Sequence, residues 1–154
     1  MPSKEDRERV QLLFQSFRNV NIAFHRMLVK AATPHGVTPV QVLVMRVLSE
    51  RPRIGLAELA QRIQIGNSTA SGIVDRMEKA GLVVRERGTE DRRSIVLSLT
   101  ERGVDVWRKT DSRRMELLEP LLALPTEDIE HLVRINERIT EIFNTYGEDT
   151  PQDE

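Results

Sequence analysis

The chain has no cysteine among its 154 residues, which excludes disulfide staples, thiolate metal sites and thiol-based redox sensing. Aromatic residues are scarce, with one tryptophan, one tyrosine and four phenylalanines, so no ring-lined cradle for a flat ligand announces itself. The three histidines, His25, His35 and His131, lie in distant segments without zinc-ligand spacing, and each reads as a structural or surface residue. There is no glycine-rich phosphate loop, no Gly-x-Ser-x-Gly elbow and no pair of catalytic carboxylates, so the expectation is a non-enzyme without cofactor or metal. No apolar run reaches membrane-spanning length, and the start Met1-Pro2-Ser3-Lys4-Glu5-Asp6 is too charged for a signal peptide. A cytoplasmic protein with no membrane partner is expected.

What remains is enough to build a core: 39% of the residues are hydrophobic, in a length suited to one ordinary domain or a small domain with oligomerisation arms. The net charge of −1 hides a division along the chain. Residues 1–115 carry 21 Lys/Arg against 13 Asp/Glu, whereas residues 116–154 carry 2 against 11. A basic body and an acidic C-terminal end fit a partner bearing phosphates, with the acidic end held away from it. The tail Glu148–Glu154 reads equally well as a solvated, frayed end or a regulatory element.

Apolar spacing divides the chain into helices and a hairpin. Ser3 caps a first helix of about seven turns, with Val10, Leu13, Phe14, Phe17, Val20, Phe24 and Met27 or Leu28 on one stripe until Pro34 and Gly36 stop it. So long a stripe needs other long helices, from this chain or from a second copy. Thr38-Pro39-Val40-Gln41 writes a capping box for a second helix, whose apolar face is Val40, Leu43, Val44, Val47 and Leu48. Arg51-Pro52-Arg53 ends it. Two short helices follow, Leu56, Leu59, Ala60 and Ile63 facing inward in one and Ala70, Ile73, Val74 and Met77 in the other, joined by Ile65-Gly66-Asn67 and stopped by Gly81. Leu82 to Arg87 and Ser94 to Leu99 read as strands around the charged tip Gly88-Thr89-Glu90-Asp91-Arg92-Arg93. Thr100 caps a fifth helix with Val104, Trp107, Met115, Leu118, Leu121 and Leu122 inward, running to Leu124-Pro125. Thr126 starts a sixth with Ile129, Leu132, Ile139, Ile142, Phe143 and Tyr146. No internal repeat is visible.

The predicted fold is mainly α with a small β-hairpin wing (α+β), a winged helix-turn-helix with long N- and C-terminal dimerisation helices. Residues 1–36 form the N-terminal dimerisation helix, 37–99 the winged DNA-binding lobe, 100–147 the C-terminal dimerisation helices and 148–154 an acidic tail. Asn67, Ser68, Thr69, Ser71 and Gly72 lie opposite the apolar face of the fourth helix, at an N-terminus whose backbone N–H groups and dipole favour phosphate. They are the expected major-groove face, with Asn67 able to pair bidentately with adenine and Arg76, one turn on, meeting phosphate. The alternative for Asn67, Ser68 and Thr69 is a simple capping role. At the hairpin tip Arg92 and Arg93 have the reach to enter a narrow minor groove, and Asp91 suits the positioning of an arginine by a charge-assisted bond. The alternative is a solvated surface ion pair. Arg85 and Arg87 read either as phosphate contacts or as partners across the hairpin.

In order and spacing, Leu56-Ala57-Glu58-Leu59-Ala60, Ser68-Thr69-Ala70-Ser71, Ile73-Val74-Asp75-Arg76-Met77-Glu78, Gly81-Leu82-Val83, Asp91-Arg92-Arg93 and Leu99-Thr100-Glu101-Arg102-Gly103 resemble the MarR family of bacterial transcriptional regulators. The six-helix layout extends the resemblance over nearly the whole chain. It implies a homodimer whose first, fifth and sixth helices interlock, binding double-stranded DNA at a pseudo-palindromic operator and acting as a repressor released by a small-molecule effector. Within the family pattern of Asp, any residue, Arg, it assigns insertion to Arg93. The chain departs from many family members at Gly66 and Gly72, which leaves its recognition face without an arginine to read guanine. An effector pocket is expected where the first and second helices meet the fifth, with Phe17, Phe24, His25, Arg26, Met27 and Leu43 as lining and Arg26 or His35 for an anionic group. The competing expectation is a winged-helix protein-interaction module without specific DNA binding, its acidic C-terminal helices holding the partner.

Overall fold

A computed structural model describes residues 1, 3–89 and 93–147, with side chains to residue 145. Asp91, Arg92, the Tyr146 side chain and the 148–154 tail lie outside the described residues. The elements follow the expected order: α1 (Lys4–Ala32), α2 (Pro39–Glu50), α3 (Leu56–Ile63), α4 (Asn67–Lys79), β1 (Val83–Arg87), β2 (Ile95–Leu99), α5 (Glu101–Leu118) and α6 (Thr126–Gly147). Two compact units result, residues 1–117 and 118–154. Among the described residues no helix is long and apolar enough to cross a membrane.

Local chemistry sets most boundaries. Ser3 and Asp6 form a reciprocal capping box on α1, and Thr38 with Gln41 does the same on α2. The Ser3 hydrogen bonds hold the Asp6 carboxyl below the ordinary aspartate range. α1 gives way at Thr33–His35 to a 3-10 turn that closes on left-handed Gly36. At the end of α4 the Leu82 N–H donates to the Met77 carbonyl at 2.9 Å and the Gly81 N–H to Glu78 at 2.9 Å. That is a Schellman stop, with Gly81 at φ 71° where a side chain would be strained.

The core sits in the first unit and is built from α2, α3, α4 and the hairpin: Met45, Leu48, Leu59, Met77, Leu97, Val44, Val74 and Val83 are its largest fully buried side chains. Helix α2 is buried more widely than its expected face, since Val42 and Met45 are buried beside Val44, Val47 and Leu48. Neighbours on several sides, α1, α3 and β2, leave it little solvent-facing surface.

Helix α5 departs from expectation in length and facing. It stops at Leu118 and continues as a 3-10 turn over Glu119–Ala123, because Pro120 has no N–H to extend the α-helical ladder. Its buried residues are Gly103 and Thr110, with Val106 and Trp107 packed on the core, while Val104, Met115, Leu121 and Leu122 are exposed. Close approach selects this face. A Cβ on Gly103 would lie 2.0 Å from the Leu82 carbonyl oxygen, so α5 crosses directly over the backbone that leads into β1.

The long stripes remain uncovered within one chain. On α1 only Ala31 and Ala32 are buried, Phe17, Met27 and Leu28 are half-buried, and Val10, Leu13, Phe14, Val20 and Phe24 are exposed. In the second unit Ile129, Leu132, Ile142 and Phe143 of α6 are exposed and Ile139 is half-buried.

Candidate nucleic-acid interface

The chain leaves α3 through Gln64, whose φ of 57° reverses its direction, and Ile65 N–H returns to the Ala60 carbonyl at 3.0 Å. Gly66, extended, is the N-cap of α4, and no side chain caps this helix. Asn67 is therefore the first helical residue rather than part of the turn. Asn67, Ser68 and Thr69 occupy the first turn, all exposed. Their backbone N–H groups precede the first intrahelical bond, from Ala70 N–H to the Gly66 carbonyl at 3.0 Å. Such groups point outward along a helix dipole and suit an anion.

Ala70, Ile73, Val74 and Met77 anchor the opposite face in the core. Ser71 and Gly72 are half-exposed and Arg76 is exposed, so the expected groove residues share one accessible side of α4. A Cβ on Gly72 would meet nothing within 4 Å. That face is smooth and open enough for close approach of a partner's surface.

The hairpin pairs β1 and β2 in antiparallel register from Val83 opposite Leu99 to Arg87 opposite Ile95. Its mouth closes with Gly88 N–H donating to the Ser94 carbonyl at 2.9 Å. Thr89 and Arg93 are exposed on either side of the tip. Asp91 and Arg92, expected as positioning partner and minor-groove residue, lie outside the described residues.

Two arginines brace the wing, and neither role was read from the sequence. Arg85 donates to Asp75 at 2.6 Å and to Glu78 at 2.5 Å, linking β1 to the outer side of α4. The Asp75 hydrogen bond, against partial desolvation and with help from Glu78, raises the Arg85 pKa above its ordinary value. Arg85 is therefore committed to α4, and the expected choice between phosphate and a cross-hairpin partner meets a third outcome. Arg53, read only as part of a helix stop, donates to Glu86 at 2.7 Å and to the Arg87 carbonyl at 3.3 Å. Charge pairs seven or more positions apart leave no periodic trace, so spacing alone does not find them.

The expected effector residues separate. Phe17, His25 and Arg26 line a groove of about 610 Å³ along α1 together with Phe14, Arg18, Asn21 and Ile22. Phe24, Met27 and Leu43 are not among its lining residues; Leu43 sits half-buried on α2. His35 stands near enough to Asp105 to help lower that carboxyl's pKa, after the larger effect of the Lys109 hydrogen bond.

Known proteins resemble this chain in sequence and in fold. A model of the MarR family matches residues 37–95. The homoprotocatechuate degradative operon repressor of Escherichia coli is 30% identical over 137 residues, covering 88% of this chain and 90% of the relative. The crystal structure of AbsC, a MarR family transcriptional regulator from Streptomyces coelicolor, superposes with a TM-score of 0.80 at 26% identity, covering 94% of this chain and 98% of AbsC. The transcriptional repressor CouR, solved bound to a 23-mer DNA duplex, gives a TM-score of 0.75 at 24% identity, covering 86% of this chain and 95% of CouR.

Proposed function

The chain belongs to the MarR family of DNA-binding transcription regulators, and on that premise we propose that it is a dimeric repressor closing two winged lobes on a pseudo-palindromic operator. The observation that carries this reading is the start of α4. Three exposed polar side chains and a turn of outward N–H groups stand on a helix whose other face is locked in the core, beside a wing braced to the same helix. Asn67, Ser68, Thr69, Ser71 and Gly72 face the major groove, with Arg76 on the phosphates. Arg93 reaches the minor groove, with Arg92 and the positioning Asp91 beside it. With no arginine at Gly66 or Gly72 to read guanine, and Arg76 on the phosphates, specificity leans on the wing and on DNA shape.

The exposed apolar stripes of α1 and of α6 support pairing of two copies, because runs of large apolar side chains along a whole helix rarely stay in water on a monomer. Such a dimer places its lobes on half-sites about 10 bp apart or a multiple of that. The named relative represses a degradative operon, and such control needs a release signal. The α1 groove, with Phe17, His25 and Arg26, is the site assigned here to a small acid or phenol that shifts the lobe spacing. Phe24, Met27, Leu43 and His35 belong to the helices expected around it.

The test is selection of bound duplexes from random DNA, followed by anisotropy titrations against salt. A dimer contacting about six to ten phosphates loses roughly 10³ to 10⁵ in affinity between about 50 and 200 mM salt. A flat response sinks the reading in favour of a protein-interaction module. Arg93→Ala lowers the salt slope by about one charge, whereas Asn67→Ala relaxes choice at one base position at about 1 to 3 kcal/mol.

A further inference from the structure

Arg53 holds an unusual backbone. Its φ of 65° lies in the left-handed region, shared among the described non-glycine residues only with Gln64. Glycine adopts that region without crowding a Cβ against the carbonyl. An arginine there points to use of its side chain, and both halves of the residue are engaged.

The backbone half binds β2. Arg53 N–H donates to the Leu97 carbonyl at 2.9 Å, Leu97 N–H returns to the Ile54 carbonyl at 2.8 Å, and Ile54 and Leu97 form an antiparallel bridge. The side-chain half crosses to β1. Nη1 donates to Glu86 Oε2 at 2.7 Å and Nη2 to the Arg87 carbonyl at 3.3 Å. One residue thus ties the α2–α3 turn to both strands. Its outer attachment is next to Gly88, whose N–H closes the mouth of the hairpin on Ser94.

We propose that Arg53 is a positioning residue for operator binding: its backbone and guanidinium together fix the angle at which the wing leaves the lobe, without the guanidinium itself touching DNA. This rests on the DNA-binding reading above. The geometry separates it from a phosphate ligand, because the guanidinium forks onto a carboxylate and a carbonyl. It also gives Glu86 an unexpected part, since an acidic residue on a DNA-facing wing repels phosphate and serves operator binding through the group it holds.

The opposite signs supply the test, on the full chain with one selected duplex. Arg53→Gly keeps the left-handed turn and relieves its crowding, so the fold survives. The Gly88 amide then loses about tenfold or more of its exchange protection while core amides of α4 keep theirs. Duplex affinity falls about three- to tenfold in Arg53→Gly and in Glu86→Ala alike, with the salt slope unchanged, and the double variant is no worse than Arg53→Gly. Removal of a mere negative charge instead tightens binding in Glu86→Ala, and that result overturns the proposal. So does an Arg53→Gly chain with wild-type Gly88 protection. A wild-type chain that binds no duplex in a salt-dependent way removes the regulator reading, and the exchange measurement still decides whether Arg53 clamps the wing.

Discussion

Substituting Gly103 by alanine puts a single methyl group where α5 crosses the entry to the wing. In most helix interiors this change gains about 1 kcal/mol, because alanine leaves the unfolded chain less conformational freedom to lose and favours the helix more. Here the new Cβ lies 2.0 Å from the Leu82 carbonyl oxygen and 3.0 Å from its carbon, against an ordinary carbon–oxygen contact near 3.4 Å. The two backbones have to separate by well over an ångström at the oxygen. Neither yields easily. Leu82 is buried and held by its N–H on Met77 at 2.9 Å, and its carbonyl accepts from Thr100 N–H at 3.1 Å. Thr100 in turn donates its hydroxyl to the Gly81 carbonyl at 2.6 Å while capping α5 through Gly103 N–H at 2.9 Å. Overpacking costs about 1 to 3 kcal/mol, and loss of the Thr100–Leu82 and Thr100–Gly81 bonds about 1 kcal/mol each. After the helix gain the net is a destabilisation of about 2 to 4 kcal/mol, a drop in Tm on the order of 5 to 15 °C. The assay is thermal and urea unfolding at fixed protein concentration, because the proposed pairing of two copies would couple stability to concentration. Gly72→Ala is the matched control: its Cβ meets nothing within 4 Å, and it gains about 0.5 to 1 kcal/mol. A Gly103→Ala chain as stable as wild type refutes the close crossing of α5 over Leu82.

Further outcomes follow from other parts of the molecule. Thr110 is fully buried, and its hydroxyl has no hydrogen-bond partner among the described residues, so Thr110→Val raises stability by about 1 kcal/mol in chemical unfolding; a loss would reveal a hidden partner. Because the Asp6 pKa is depressed in the folded chain, its capping contribution is present above the unfolded value near 3.9 and lost as pH falls through the folded one. Circular dichroism should show α1 fraying below about pH 4 in wild type but not further in Asp6→Asn, which lacks the charge throughout. Phe14 is 70% exposed on the α1 stripe, and Phe14→Glu shifts light-scattering mass toward the monomer while the lobe stays folded; an unchanged dimer places the contact elsewhere.

The order of elements was legible because most boundaries carry local chemistry. The Ser3 cap, the Thr38–Gln41 box and the Gly81 stop are written within a few residues and need no tertiary partner, although Asp6 as the reciprocal partner of Ser3 came from the structure. The facing of α5 was not legible for the opposite reason: Val104, Met115 and Leu122 repeat at helical spacing, yet close backbone approach selects Gly103 and Thr110, which no hydrophobic pattern marks. Periodicity shows that a helix has a dry face without saying whose chain covers it, and α1 is the case in point. At the candidate interface, exposure of Asn67, Ser68, Thr69 and Arg76 followed from the apolar face opposite them. The braces by Arg53 and Arg85 escaped, because their acidic partners come together only once the hairpin folds back.

The small sheet has one further consequence, for solubility. β2 is flanked by β1 on one side and by the Ile54 bridge on the other, so its ladder groups are largely spoken for. β1 has no second neighbour among the described residues, which makes it a template for strand addition. It carries Arg85, Glu86 and Arg87 in succession, and long charged side chains of mixed sign discourage another strand from docking there. Neutralising that triplet should promote aggregation even with folding intact. The charges that steady the wing thus also keep a protein whose helices invite a second copy from sticking to it by the wrong edge.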